Sequence, residues 1–500
     1  MRSIRRTKTA SGATAIQVVR YVNGMTKIEK HVGSGNSKED ISILYQKAEK
    51  WIESKTKQQN LFTPETPIEL SQSNLELVKV VHAFAYNLME RVALKCGLSM
   101  KKDRFLFDFA LMRMIEPASK LRTIMLLQRY FTISYSKRTV YRKIKTLIED
   151  KKRIEELAIQ CAKKMLQADI AIVLYDVTTL YFETFKGDEL RKEGFSKDNK
   201  PQQPQIVLGL LVNSQGFPLG YEIFPGNTFE GKTMLIVLKE FISKHNVQKP
   251  VVVADAAMLS QTNIEELQKD GFSYIVGARL ANTTNVIFNE VCKNFGESHK
   301  NTAIRINSPT GDLIVEFSEK RYRKDKHEFN KQLERAKQNV ESKRGGKNAR
   351  FVRYKTNRVD TELNDALIAK AKALLGLKGY YTNVPIKVLT DTEIIARYHD
   401  LWHVEHTFRI AKSDLSSRPI FHYAEKAVRS HVLICFTALM LTKYVEIKTQ
   451  ISLKQIINEI WEIKDVHLYN TLTEANFSIR SKISPEASSI VKKIDPHYTY

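Results

Sequence analysis

The stretch AIVLYDVTTLYFE, Ala171 to Glu183, decides how this chain is read, because from about Ile170 a helical pattern gives way to an apolar run ending in a carboxylate, Asp176. AIVLYD is short, continuous and rich in β-branched residues, which suits a strand buried on both faces. Downstream, QIVLGLLV (205–212) and FPLGYEIF (217–224) flank Asn213-Ser214-Gln215-Gly216, the pattern of a hairpin with a glycine-containing loop. A helix is expected over GKTMLIVLKEFISKHN (231–246) and another buried strand over KPVVVAD, ending in Asp255. TNIEELQKDG reads as a helix closed by Gly271, and FSYIVGA as a fifth strand. The order is β-β-β-α-β-α-β, with two apolar strands that each end on an aspartate.

A third carboxylate lies in IIARYHDLWHVEHTFRIAK, Ile394 to Lys412. Steps of four and three from Ile394 reach Tyr398, Leu401, Glu405, Phe408 and Lys412, so Glu405 falls in an otherwise apolar helical seam. A carboxylate buried there needs a cation, either a core Lys or Arg or a metal ion. In open α/β sheets, sites form at the carboxyl ends of strands, so Asp176 and Asp255 converge if their strands are neighbours. Three convergent carboxylates stay ionised only with cations present. Oxygen-only ligation suits Mg²⁺ or Mn²⁺, since no His or Cys cluster flanks the two aspartates. Two such ions about 4 Å apart would activate a water or a DNA 3′-hydroxyl and stabilise the leaving oxygen of an in-line phosphoryl transfer.

Composition narrows the partners. The 500 residues carry 79 Lys plus Arg against 55 Asp plus Glu, a formal charge of +24 and a pI near 9.6. This points first to nucleic acid. The longest mainly apolar run, VLICFTALML (432–441), is too short to span a bilayer and reads as a buried helix, so no membrane partner is expected. Cys96, Cys161, Cys292 and Cys435 form no C-x-x-C pair, which argues against a zinc cluster or a disulfide framework and suits a reducing cytosol.

The remaining organisation follows from rhythm. Residues 1–60 read as a small basic β/α module, with a basic arm in the first 20 residues and a hairpin over IQVVRYV and TKIEKHVG turning at Asn23-Gly24. From about Ser37 to Asp169 the pattern is helical, with a polar, Pro-containing linker near Thr63 to Pro67 dividing two helical parts, and residues 61–169 read as a helical DNA-binding region. Within it, SKRTVYRKIKTLIED starts on Ser136 as an N-cap and presents Arg138, Arg142 and Lys143, either as a solvated basic face or as a helix that packs on DNA. Residues 170–280 hold the first part of the core. Residues 281–375 form a basic insertion with IRINSP and DLIVEFS as strands and a run dense in Lys and Arg, itself readable as a solvated helix. Residues 376–445 return to the core with the strand GYYTNV and the Glu405 helix, and residues 446–500 read as a helical C-terminal region.

Taken together, YDVTTLYFE, PGNTFEGKT, VVVADAAMLS and YHDLWHVEHTFRIAKSDLSSRPIFHY resemble the DDE transposases of bacterial insertion sequences. The resemblance is to the group whose glutamate helix carries Tyr, two residues, Arg, three residues, Glu, six residues, Lys. It covers about Ile170 to Tyr423. It implies an α/β, ribonuclease-H-like core, a mixed five-stranded sheet flanked by helices, with an inserted subdomain that is β-rich in the family and a mostly helical N-terminal region. By position, Asp176, Asp255 and Glu405 match the metal-binding triad, while Tyr398 and Lys412 match residues that engage transposon-end phosphates. The family's Arg falls on Leu401, so Arg397 or Arg409 would have to serve in its place. The resemblance further implies cleavage at the ends of a mobile element, joining to a target duplex, a synaptic homodimer and a bacterial, nucleoid-associated cytoplasmic setting. A nuclease of the same fold without strand transfer, and a transposase-derived DNA-binding protein, are the alternatives.

Overall fold

The structure is a computed structural model that describes residues 2–22, 24–55, 75–166, 171–245, 249–256, 260–296, 303–308, 310–341, 350–354, 361–471 and 473–498. It divides into two compact units, the first comprising Met1–Leu88, Leu127–Ile133 and Ile456–Val491, the second Met89–Leu126, Ser134–Gln455 and Lys492–Tyr500.

The first unit begins with an antiparallel sheet of β1 (Arg2–Lys8), β2 (Thr14–Val22) and β3 (Met25–Gly35), packed against α1 (Lys38–Lys55). Ile16, Val18, Leu44 and Ala48 form its core. The β2–β3 hairpin closes with Val22 opposite Met25. Asn23 of its turn and the Thr63 to Pro67 linker lie outside the described residues. The expected basic arm is a strand instead: β1 pairs along β2, Ile4 packs on the core, and Arg2 is held 2.6 Å from Glu29. Strand β4 (Leu75–Val81) follows.

Next come the helices α2 (Ala83–Lys95), α3 (Met100–Ile115), α4 (Lys120–Phe131), α5 (Lys137–Thr146) and α6 (Lys151–Leu166). Ser136 caps α5 as its position suggests, its hydroxyl accepting the Thr139 amide. The second unit is built on one mixed sheet whose first strands are β5 (Ile172–Tyr181), β6 (Gln205–Asn213) and β7 (Pro218–Pro225), successive antiparallel neighbours. All nine residues of β6 are buried, because it lies inside the sheet with both faces covered. Helix α7 (Thr233–His245) leads to β8 (Val251–Ala254), which pairs in parallel with β5, and α8 (Gln261–Lys269) leads to β9 (Ser273–Ala278), parallel to β8.

The insertion contributes α9 (Asn285–Phe295), β10 (Ala303–Ile306), β11 (Asp312–Phe317), the 23-residue α10 (Glu319–Glu341), the short pair β12 (Val352–Tyr354) and β13 (Thr361–Leu363), and α11 (Asp365–Ala373). It is more helical than the β-rich insertion the resemblance implied. Strand β14 (Leu377–Thr382) then pairs with both β9 and β11. The sheet is therefore eight-stranded, in the order β10-β11-β14-β9-β8-β5-β6-β7, rather than five-stranded.

After β14 come α12 (Asp391–His399), α13 (Trp402–Arg409) and α14 (Glu425–Thr449). Helix α14 is long and apolar enough to cross a bilayer, but 89% of its apolar window is buried inside the protein, as befits a core helix. The C-terminal region is not wholly helical. Beyond α15 (Leu453–Trp461), β15 (Asp465–Asn470) and β16 (Ala475–Arg480) form a hairpin that pairs with β4 in the first unit, before α16 (Pro485–Ile494). The ion pair of Asp465 with Arg480, at 2.7 Å, and the amide of Phe84 donated to Asp465 fix this strand pairing, a partnership across nearly 400 residues that helical periodicity does not register.

In the second unit, buried Asp103 accepts the Ser99 amide and both terminal nitrogens of Arg153, linking α3 to α6. Removing one partner of a buried pair strands the other charge, but Asp150 still holds Arg153 at 3.0 Å. Asp103→Ala should therefore cost about 3 kcal/mol, the lower end of the range for such breakages. Urea unfolding of the full chain measures this, and a loss below about 1 kcal/mol would place the pair among ordinary surface bridges.

Candidate active site

The site is built by strand register. Tyr175 on β5 lies opposite Ala254 on β8 in parallel pairing, so Asp176 and Asp255, one residue further along each strand, come side by side. Asp176 is not at a strand end as the sequence suggested, since β5 continues to Tyr181 against β6. Asp255 does follow the last residue of its strand. Behind them Tyr175 is fully buried and donates to the Thr233 hydroxyl at 2.7 Å, and its ring occupies the space that a side chain at Gly209 would need.

The Glu405 helix is not continuous. It breaks at Asp400-Leu401 between α12 and α13, and α13 runs into a π-helical turn at Ile410–Asp414. The break changes the face: Tyr398, Leu401, Val404 and Phe408 stay buried, while Glu405 turns outward and is exposed. Among the described residues Glu405 has no ion-pair partner, which sets aside the core salt bridge. Glu405, Asp176 and Asp255 line one cavity of about 260 Å³, together with Lys378, Tyr398 and Trp402. No three acidic, His or Cys side chains among the described residues stand close enough to ligate one ion together, so the three carboxylates share a cavity without converging on a point.

The electrostatics follow from that arrangement. Burial pushes the Asp176 carboxyl up to about 6, Lys197 and the Val177 amide pull it down, and Glu230 and Asp255 push it further up. Lys197 is itself tied to the Val177 carbonyl at 2.8 Å and to Glu230 at 2.9 Å. Asp255 accepts the Ala256 amide at 2.7 Å and the Tyr398 hydroxyl at 2.9 Å. Tyr398 can lie this close because position 277 on β9 is glycine: a Cβ there would collide with the phenol oxygen. Burial and the neighbouring Asp255 and Glu405 hold the Tyr398 phenol well above its ordinary range. Burial and Arg321 push the Lys378 ammonium down against the pull of Glu316, Asp255 and Glu405.

The other expected contacts lie elsewhere. Lys412 is mostly buried, 3.4 Å from Asp198, which also holds Arg418 at 3.0 Å. Arg397 pairs with Asp400 at 3.3 Å, and Arg409 is exposed. Arg138, Arg142 and Lys143 are exposed on α5, away from the cavity. Sequence reasoning missed Lys378, Trp402, Lys197 and Glu230. Trp402 was open to notice beside Leu401, whereas Lys378 reaches the cavity only because β14 pairs with β9.

The family described as Transposase DDE domain matches residues 167–441, more than half of the chain. The chain belongs to the DDE transposase family. Transposases of this family work in DNA transposition and recombination and use divalent cations. Among solved structures the chain is similar to piggyBac transposase in its synaptic complex with hairpin DNA, at 12% identity over 85% of this chain and 77% of that one, with a TM-score of 0.35. It is also similar to Mos1 transposase in its paired-end complex with a left transposon end, at 13% identity over 46% and 66%, with a TM-score of 0.15. The chain matches no curated sequence.

The all-oxygen donor set of this transposase fits a hard divalent cation, and the raised Asp176 carboxyl marks negative charge short of compensation. Because the folded value near 6 exceeds the ordinary 3.8, ionisation of Asp176 weakens the metal-free fold as pH rises through that window. Asp176→Asn should raise stability at pH 7 by up to about 3 kcal/mol and give no gain below the unfolded pKa. Adding Mg²⁺ should stabilise the wild type and not the variant. Thermal melts across pH check this, and equal stabilisation of both proteins by Mg²⁺ would contradict it.

Proposed function

We propose that this transposase is of the bacterial insertion-sequence kind, binding the terminal repeats of its element and catalysing metal-dependent strand cleavage and strand transfer on double-stranded DNA. What carries the reading is the shared cavity of Asp176, Asp255 and Glu405 at the β5–β8 pairing. The strand order β7-β6-β5-β8-β9, with β8 and β9 parallel to β5, supports a ribonuclease-H-like core.

In this reading Asp176, Asp255 and Glu405 hold Mg²⁺ or Mn²⁺, two ions at full occupancy. Bound there, the cations would lower the pKa of an attacking hydroxyl and neutralise charge on the leaving oxygen. The chain's own residues do the positioning. The Ala256 amide and the Tyr398 hydroxyl fix one oxygen of Asp255, and the Val177 amide fixes one oxygen of Asp176. Lys378 presents a cation in the cavity lined by Leu401, where the related glutamate helices carry Arg, and so takes over that phosphate contact from β14. The solvent-facing side of α13 places Glu405 to close on the aspartates when DNA and cations arrive, since catalytic contacts tighten in the complex.

Helix α5, with Arg138, Arg142 and Lys143 exposed, supplies duplex contacts outside the cavity. Arg409 extends them next to Glu405, and Lys412, once released from Asp198, reaches an end phosphate. The active form is a homodimer that pairs two transposon ends, working at the nucleoid.

Glu405→Gln tests the reading. With Mg²⁺ and duplexes carrying the element's ends, cleavage should fall by about a thousandfold or more. End binding in EDTA and the metal-free melting temperature should stay as they are, because Glu405 is exposed and has no ion-pair partner among the described residues. A Glu405→Gln protein that cleaves normally would refute the site. Wild-type nicking with no joining to a target duplex would make the protein a nuclease.

A further inference from the structure

A second cavity, of about 430 Å³, opens in the same unit between α3, α4, α5 and the start of α14 and shares no residue with the carboxylate site. Its charged lining is entirely basic among the described residues: Arg113, Lys120 and Lys145, with His422 and His431 beside them. Lys120 is buried. Its ammonium contacts His431 Nδ1 at 3.1 Å, and His431 Nε2 faces the Ser417 carbonyl at 3.0 Å, so Nε2 carries the ring proton and Nδ1 accepts from Lys120. That uses one of three N–H donors. The other two have no acceptor among the described residues.

The second buried lysine of this unit, Lys443, is handled differently: it sits 3.4 Å from Glu446. Burying an ammonium without a counter-charge is costly, and no carboxylate among the described residues offsets it at Lys120. Burial and Arg113 together push Lys120 down to about 7, and burial with Lys120 and Arg113 pushes His422 down to about 4. An anion entering the cavity would relieve both. At the mouth stand Tyr141, Phe421 and Tyr423, exposed at 47%, 64% and 68%. Aromatic faces at the rim of a basic pocket are the platform on which nucleobases stack. The volume lies within the roughly 300 to 1,000 Å³ of small-ligand sites.

We propose that this cavity is a nucleotide phosphate site, with the phosphate held by Lys120, Arg113 and Lys145 and the attached base stacked on the Tyr141, Phe421 and Tyr423 rim. It goes beyond the carboxylate site and needs no metal. The phosphate belongs either to a DNA strand lying along α5 or to a free nucleotide, and the two sources share this chemistry.

Full-length protein in EDTA separates them. Calorimetric titration with deoxyadenosine 5′-monophosphate, deoxyadenosine and inorganic phosphate is set beside anisotropy with a labelled 20-base single strand. Binding of the monophosphate with deoxyadenosine at least about tenfold weaker, and loss of about tenfold in Lys120→Gln, supports the site. Lys145→Ala, an exposed position, should weaken phosphate binding even where Lys120→Gln folds poorly. Tyr423→Ala should weaken the nucleotide and the strand but not inorganic phosphate. If only the oligonucleotide responds to these variants, the occupant is a DNA strand. If the mononucleotide responds equally, it is a free nucleotide. Unchanged affinities for every probe in folded Lys120→Gln and Lys145→Ala overturn the proposal. Asp176→Asn, which disables the carboxylate cavity, should bind these probes like the wild type, so this test stands apart from the cleavage reading.

Discussion

Everything at the carboxylate site depends on one parallel pairing. With Tyr175 opposite Ala254, two strands joined through a hairpin and a helix deliver Asp176 and Asp255 to adjacent positions. Burial raises the cost of ionising Asp176, and the neighbouring Asp255 adds to it. Lys197 and the Val177 amide meet that cost only in part, while the Ala256 amide and the Tyr398 hydroxyl hold one oxygen of Asp255 in place. What is left over is negative charge that a divalent cation would offset. The surrounding packing protects the geometry: Gly209 makes room for Tyr175, and Gly277 makes room for Tyr398.

The glutamate comes to the site by a different route. A continuous helix from Ile394 would have buried Glu405 with Tyr398 and Phe408, at the cost of an unpaired charge. The break at Asp400-Leu401 keeps the apolar residues inside and turns the carboxylate out into the cavity. A carboxylate on the solvent side of a short helix is free to adjust when ligands arrive, whereas the aspartates are fixed by the sheet. In the proposed site, two carboxylates placed by the sheet pairing would act with one adjustable carboxylate.

The sequence carried the central strands clearly, because AIVLYD and KPVVVAD are apolar runs whose only charge at the C-terminal end is an aspartate. The Asn213 to Gly216 turn and the Ser136 cap were legible for a similar reason, since both are local. Long-range pairing was not. β11 looks like a strand of a separate insertion, yet it extends the main sheet because β14 bridges it to β9. The same pairing brings Lys378 to the cavity. Local periodicity cannot register the β15–β16 hairpin, because β15 pairs with β4, nearly 400 residues earlier. The apolar spacing from Ile394 fits an unbroken helix equally well, so it does not reveal the break that exposes Glu405.

The most direct test of the central claim is anomalous diffraction from crystals of the protein bound to duplex DNA and soaked in Mn²⁺. An anomalous peak is expected at Asp176 and Asp255, the residues that would hold the ion, with Glu405 moved toward it. Ordered DNA with no peak at the two aspartates, or with Mn²⁺ bound only elsewhere, would contradict it.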